Sequence, residues 1–133
     1  MNIIDVEGIG PVYAEQLGVV GIKTTDDLLE RGAKPKGRDD LEAATGIAHA
    51  LILKWVNRVD LYRIKGVGSE YSDLLEIAGV DSPAELAHRN AANLTETMAE
   101  ANAARSLVRR LPTLEEVTGW IEQSKSLPKV VEH

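Results

Sequence analysis

The sequence predicts an all-α fold, and three observations carry that reading. Helix-start signals recur along the chain, whereas the best strand candidates, Val19-Val20-Gly21-Ile22 and Ile77-Ala78-Gly79-Val80, are short and interrupted by glycine. Ala48–Val59 sets Leu51, Trp55 and Val59 at i, i+4 and i+8, with Ile52 and Val56 beside them, an apolar stripe at the helical period. A glycine turn followed by a helical pattern occurs twice. Val6-Glu7-Gly8-Ile9-Gly10-Pro11-Val12-Tyr13 returns 58 residues later as Ile64-Lys65-Gly66-Val67-Gly68-Ser69-Glu70-Tyr71, and the register holds without a gap to Arg31/Arg89. Gly8/Gly66, Gly10/Gly68, Tyr13/Tyr71, Leu17/Leu75, Gly21/Gly79, Leu28/Leu86 and Arg31/Arg89 are identical.

The elements follow in order. Pro11–Leu17 starts directly after the first glycine turn. Thr24 caps a helix over 25–31, with Asp26 and Asp27 in the first turn, where a helix favours negative charge. Short helices fit Asp40–Ala44 and then Ala48–Val59; Thr45-Gly46-Ile47 between them reads as a degenerate turn with one glycine. Ser69–Ile77 repeats the first hairpin helix. Ser82 caps Pro83–Arg89, with proline at the first helical position. Leu94–Leu111 is the long helix of the second half, and Thr113-x-x-Glu116 is a capping box opening a helix to about Ser126. Trp55-Val56 and Trp120-Ile121 correspond at an offset of 65, so the second copy has gained about seven residues around Arg105–Pro112. Both tryptophans read as core anchors. With 4% aromatic residues and no Phe, the rest of the core falls to Leu, Ile, Val and Ala.

The 133 residues therefore divide into two repeats, 1–61 and 62–133, each near the size at which a core is marginal alone. The short link Asp60-Leu61-Tyr62-Arg63 predicts that they pack together. Composition, 44% hydrophobic and 27% charged, fits a soluble globular protein. The absence of cysteine removes disulfides, thiolate chemistry and cysteine-based zinc sites, and fits a cytoplasmic setting. No apolar run reaches the ~18 residues that span a membrane, and the N-terminus carries no basic and apolar signal pattern, so no membrane partner is expected. The net charge of −6 works against nucleic acid as a partner, and it divides evenly, −3 in each repeat.

Two glycines one residue apart permit a very tight turn, and the helix that begins at once aims its unpaired N–H groups into it. Ile9 and Val67, between the glycines, can tuck between helices and fix their angle. The concavity of N–H groups at Gly8-Ile9-Gly10 and at Gly66-Val67-Gly68 suits an anion.

Gly8–Leu17 resembles the helix-hairpin-helix motif, hGhGxxxAxxh, and Ile64–Leu75 resembles it with Ser72 at the small-residue position. The continuation, Gly21-Ile22-x-Thr24 or Gly79-Val80-x-Ser82 and a short helix, is typical of such units. From Val6 to about Leu127 the chain resembles an uncharacterised bacterial family of duplicated helix-hairpin-helix domains. The resemblance implies two tandem SAM-like units of about five short helices each. It also implies contact with nucleic-acid phosphates without sequence reading. Related folds serve equally as protein-interaction domains.

Phosphate-binding members usually carry Lys or Arg just after the second glycine; here Pro11, Val12, Tyr13 and Glu15, or Ser69, Glu70, Tyr71 and Asp73, stand there. Glu7 flanks the first turn and would repel phosphate, whereas Arg63 and Lys65 flank the second, so the second turn is the better anion site. Two basic clusters add candidates: Arg31, Lys34, Lys36 and Arg38 in a Gly/Pro-rich stretch expected to be a loop, and Arg105, Arg109 and Arg110, the first two expected on one helix face. Each is open to a bland reading, the first as a solvated loop, the second as ion-paired to neighbouring glutamates. Tyr13 and Tyr71 fit amphipathic packing better than base stacking.

Enzyme chemistry finds no pattern. His49, His88 and His133 are scattered without ligand spacing. No phosphate-binding Gly-Lys-Ser/Thr loop or nucleophile elbow occurs, and Asp26-Asp27 and Asp39-Asp40 point their paired carboxylates apart. No catalytic residue, metal, cofactor or small-molecule substrate is expected. The sequence supports a non-catalytic binding module of helix-hairpin-helix type that touches nucleic-acid phosphate; its alternative is a protein-interaction or scaffold domain in which the hairpins are purely structural.

Overall fold

The computed structural model describes all residues, Met1–His133, and is all-helical: eight α-helices and no strand, with one isolated bridge between Asn2 and Thr24. The chain splits into two compact units, Met1–Asp60 together with Lys129–His133, and Leu61–Pro128. The first holds a 3-10 turn, Ile3–Asp5, then α1 (Pro11–Val19), α2 (Thr25–Gly32), α3 (Pro35–Thr45) and α4 (His49–Leu61), whose last residue opens the second unit. The second holds α5 (Ser69–Ile77), α6 (Pro83–Ala87), α7 (Ala91–Arg105) and α8 (Leu114–Ser126). Each unit thus has four α-helices where about five short helices were expected.

Side-chain caps explain four of the eight α-helix starts. Thr24 Oγ1 accepts from the Asp27 N–H (3.2 Å) while Asp27 Oδ2 accepts from the Thr24 N–H (3.1 Å). Thr113 and Glu116 make the same reciprocal pair at α8. Ser82 Oγ accepts from the Glu85 N–H at α6, and Asn90 Oδ1 from the Asn93 N–H at α7. Each pair satisfies donors that the first turn leaves unpaired.

Three boundaries differ from expectation, each for a local reason. The Gly/Pro-rich stretch after Arg31 is not a flexible loop. α3 begins at Pro35, five residues before the predicted Asp40, and a Cβ on Gly37 would fall on the Arg31 carbonyl. Glycine there permits close approach of two helices. α7 begins at Ala91 and stops at Arg105, well short of Leu111. Ser106 takes a left-handed φ of 54°, and the Asn102 amide grips the Val108 backbone, accepting from its N–H (2.9 Å) and donating to its carbonyl (3.2 Å). Val108 is buried, which draws the chain off the helix axis. Gly46 closes α3 in a left-handed conformation, and buried Ile47 follows it into α4.

In the first unit Ile9, Leu17, Ile22, Leu28, Leu41, Ile52, Trp55 and Val56 are buried, and α2 packs on α3. In the second, α8 packs on α6 and α7, and α5 on α7, around Val67, Leu74, Leu75, Val80, Leu86, Leu94, Met98, Val117 and Trp120. No helix is long and apolar enough to cross a membrane.

Candidate functional site

The two glycine turns have closely similar geometry. Gly8 has φ +91° and Gly66 φ +94°, a left-handed conformation that a side chain rarely adopts. Each places its α-carbon against a tryptophan from the unit's last helix: a Cβ on Gly8 would lie 3.4 Å from Trp55 Nε1, and one on Gly66 only 2.9 Å from Trp120 Nε1. Ile9 and Val67 are buried. Their N–H groups donate back to the Val6 and Ile64 carbonyls at 3.0 and 3.1 Å, which closes each turn. Tyr13 packs on Trp55 and Tyr71 on Trp120, with ring centroids 5.0 and 5.3 Å apart. The tyrosines are packing residues in this arrangement.

The second glycine of each turn is different. Gly10 and Gly68 are the N-caps of α1 and α5, both in extended backbone, and a Cβ on either would meet nothing within 4 Å. No side chain caps either helix. The first-turn N–H groups therefore receive no side-chain acceptor from the cap, and α1, with Pro11 at its first position, has one donor fewer. Lys65 is exposed beside the second turn. Its backbone is clamped by Gln123 of α8, which accepts from the Lys65 N–H (2.9 Å) and donates to its carbonyl (3.2 Å). Arg63 donates to the Pro128 carbonyl (2.9 Å), so its guanidinium is already engaged. Exposed Glu70 lies in the first turn of α5 and weighs against an anion there.

The predicted basic clusters are dispersed by the structure. Arg31 Nη1 donates to the Val20 carbonyl at the end of α1 (2.9 Å), and its counterpart Arg89 donates to the Ala78 carbonyl at the end of α5 (3.4 Å). The identity Arg31/Arg89 thus has a structural cause: both stabilise carbonyls that a helix end leaves unpaired. Arg38 is buried in α3, not part of a solvated loop. Lys34 is exposed, and Lys36 is an exposed partner of Asp40 (3.5 Å). Because α7 ends at Arg105, Arg105 and Arg109 do not share a helix face. Arg110 forms a two-pronged pair with Glu116 (2.8 and 2.9 Å), which with the Thr113 cap holds the Glu116 carboxyl down to about 2 and raises the Arg110 pKa. The Tyr71 hydroxyl donates to the Arg110 carbonyl (2.8 Å), so the extra segment of the second unit is fastened to the first turn of α5. Arg109 next to it is exposed.

The sequence reading missed one cluster. His49 Nδ1 lies 2.7 Å from Asp39 Oδ1, and Arg38 Nε donates to His49 Nε2 (3.1 Å). Arg38 also donates to the carbonyls of Gly32 (2.7 Å), Ala33 (3.2 Å) and Glu132 (2.6 Å). The i, i+11 spacing of Arg38 and His49 matches no local motif, and Glu132 is 94 positions from Arg38, so no sequence window contained the signal. No group of three or more His, Asp or Glu is gathered to hold a metal ion.

Compared with known proteins, the chain matches the model of one family, described as a domain of unknown function (DUF4332), over residues 7–127. No curated protein and no solved structure matches it.

Proposed function

The chain belongs to the DUF4332 family, and from that premise we propose that it is a non-catalytic binding module of two tandem helix-hairpin-helix repeats. In this reading the turn at Gly66-Val67-Gly68 takes an anionic group, and the ligand class is the nucleic-acid backbone. One observation carries the choice of site: Gly68 leaves α5 uncapped, with open space where a Cβ would be, beside exposed Lys65. Thr24, Ser82, Asn90 and Thr113 cap α2, α6, α7 and α8 with a side chain, whereas α3, entered through Lys34-Pro35, starts without one as α1 and α5 do. A bare N-terminus accommodates a phosphate, to which backbone N–H groups and the helix dipole both contribute. The first turn is the weaker partner because Pro11 lacks an N–H and Glu7 is exposed beside it.

A second reading has its own support. Gly8 and Gly66 are required by the tryptophans beneath them, whatever the turns bind. A protein-interaction or scaffold domain with purely structural hairpins needs nothing more.

Titration with single- and double-stranded DNA and with RNA, at low and at moderate salt, separates the two. Binding that strengthens as salt falls supports the first reading, because phosphate contact releases counterions. Lys65→Glu then weakens binding by about tenfold at low salt while Lys23→Glu has little effect. No binding at low salt refutes the nucleic-acid reading, and equal effects of the two charge reversals refute the placement at the second turn.

A further inference from the structure

The two repeats share their glycine turns, tryptophan seats, ring pairs and Arg31/Arg89 contacts, so these serve the fold. Their exposed surfaces differ at two places. On α1, Val12, Glu15, Gln16 and Val19 fall at i, i+3, i+4 and i+7 and make one face. It points away from the core, because Leu17 is buried and Tyr13 packs on Trp55. Val12 and Val19 are 69% and 83% exposed, whereas α5 has Glu70 in place of Val12. The 3-10 turn packs on α1 and leaves Ile4 and Asp5 exposed. Asp5, Glu7 and Glu15 are exposed carboxylates without a partner. One exposed cation, Lys23, borders the 3-10 turn, its carbonyl accepting from the Ile3 N–H (3.0 Å). This surface is apolar with an acidic surround.

The second place is the stretch of about seven extra residues in the second unit, around Arg105–Pro112. Hydrogen bonds fix it: Asn102 holds both backbone groups of Val108, and the Tyr71 hydroxyl holds the Arg110 carbonyl. Leu111 and Leu114, on either side of buried Pro112, are nonetheless 40% and 51% exposed. Arg109 beside them is exposed and has no partner, as is Arg105 at the end of α7. Glu116 is committed to Arg110, which leaves Glu115 as the one unpaired carboxylate of the stretch through α8's first turn. This surface is apolar with a basic surround. Because its backbone is already fixed, covering it costs little ordering entropy.

We propose that the α1 face of one copy of the chain docks on the Arg109–Leu114 surface of another copy. The valines then cover the leucines, and the carboxylates of the first face meet the arginines of the second. Pairing of like faces sets carboxylate against carboxylate or arginine against arginine, so the contact joins unlike faces. Four apolar side chains and their flanking charges bury less than the ~1,200 Å² of a stable complex. The association is therefore weak and sensitive to salt. It makes no use of the anion site at Gly66–Gly68.

Sedimentation velocity of the full chain over a range of concentrations tests the contact. The average mass should rise with concentration at low salt, and association should weaken by about threefold or more at moderate salt. Two double variants each keep one face: Glu15→Lys with Val19→Ser removes the α1 face, and Arg109→Glu with Leu114→Ser removes the other. All four side chains are exposed and make no bond, so both variants fold, which circular dichroism checks. Each variant alone should associate about tenfold more weakly than wild type. An equimolar mixture should form a one-to-one pair at wild-type strength, through the one intact face that each variant keeps. A wild-type chain that stays monomeric at every concentration overturns the proposal. So does either variant self-associating as strongly as wild type, or a mixture no more associated than its components.

Discussion

Trp120 lies against the α-carbon of Gly66 so closely that a methyl group there would come within 2.9 Å of the indole nitrogen. The indole belongs to the core and is 3% exposed, so it has no room to yield. Gly66→Ala combines this contact with a φ of +94°, which alanine tolerates poorly. It is expected to cost about 2–3 kcal/mol, read as a lower urea midpoint. Gly8→Ala, with 3.4 Å to Trp55 Nε1, carries mainly the backbone strain and costs about 1–2 kcal/mol. A Gly66→Ala chain as stable as wild type would remove the packing explanation of the turn.

Arg38 holds three backbone carbonyls and one imidazole nitrogen from a buried position. Arg38→Ala leaves those carbonyls without their donor and opens a cavity, and is expected to cost about 2–4 kcal/mol. Lys34→Ala and Lys36→Ala, exposed in the same basic stretch, should stay within about 0.5 kcal/mol. Chemical denaturation of the three variants checks this; equal effects would return Arg38 to the solvated loop that its sequence neighbourhood suggests.

Local chemistry made much of the fold legible. Thr24, Ser82 and Thr113 cap the helices that their spacing implies, because a cap needs only residues a turn apart. Period and repeat register located α1, α4 and α5 to within two residues. Failures came where a contact just beyond one helical turn overrode the signal of adjacent residues. Gly37 reads as loop but permits the approach to Arg31, and the stretch Leu94–Leu111 reads as one helix although Asn102 captures Val108 and ends it. In the candidate site the two glycine turns were visible as motifs, and pairing with neighbouring glutamates was open for Arg110, which meets Glu116, whereas Arg31 and Arg38 read as part of a solvated loop. Their acceptors lie 11 positions away at Val20 and 94 positions away at Glu132.

Glu116 gives the segment after α7 a pH dependence of known sign. The Arg110 guanidinium and the Thr113 N–H hold its carboxyl at about 2, below the ordinary 4.5. A carboxyl depressed by folding contributes stability above its unfolded value, and that contribution disappears as pH falls from about 4.5 toward 2. Glu116→Gln should therefore lower Tm at pH 7 and flatten the fall of Tm between pH 5 and 2. Parallel Tm curves for the two proteins over that range would exclude the pair as a contributor.

Gly68 offers the cleanest separation of binding from folding. Its φ of −104° is ordinary, and a Cβ there meets open space. Aspartate fits without strain and places a carboxylate over the first-turn N–H groups of α5, where it caps the helix as Thr113 caps α8. Gly68→Asp should therefore unfold at the same temperature as wild type or slightly above, the gain being a few tenths of a kcal/mol. The same carboxylate occupies the place of a bound phosphate and repels it. If the turn contacts nucleic acid, this variant loses low-salt binding by about tenfold or more while remaining fully folded, and Gly10→Asp at the first turn loses much less. A Gly68→Asp chain that binds as tightly as wild type means that the helix end is not the contact, and the packing of Gly66 on Trp120 is then the whole purpose of the turn.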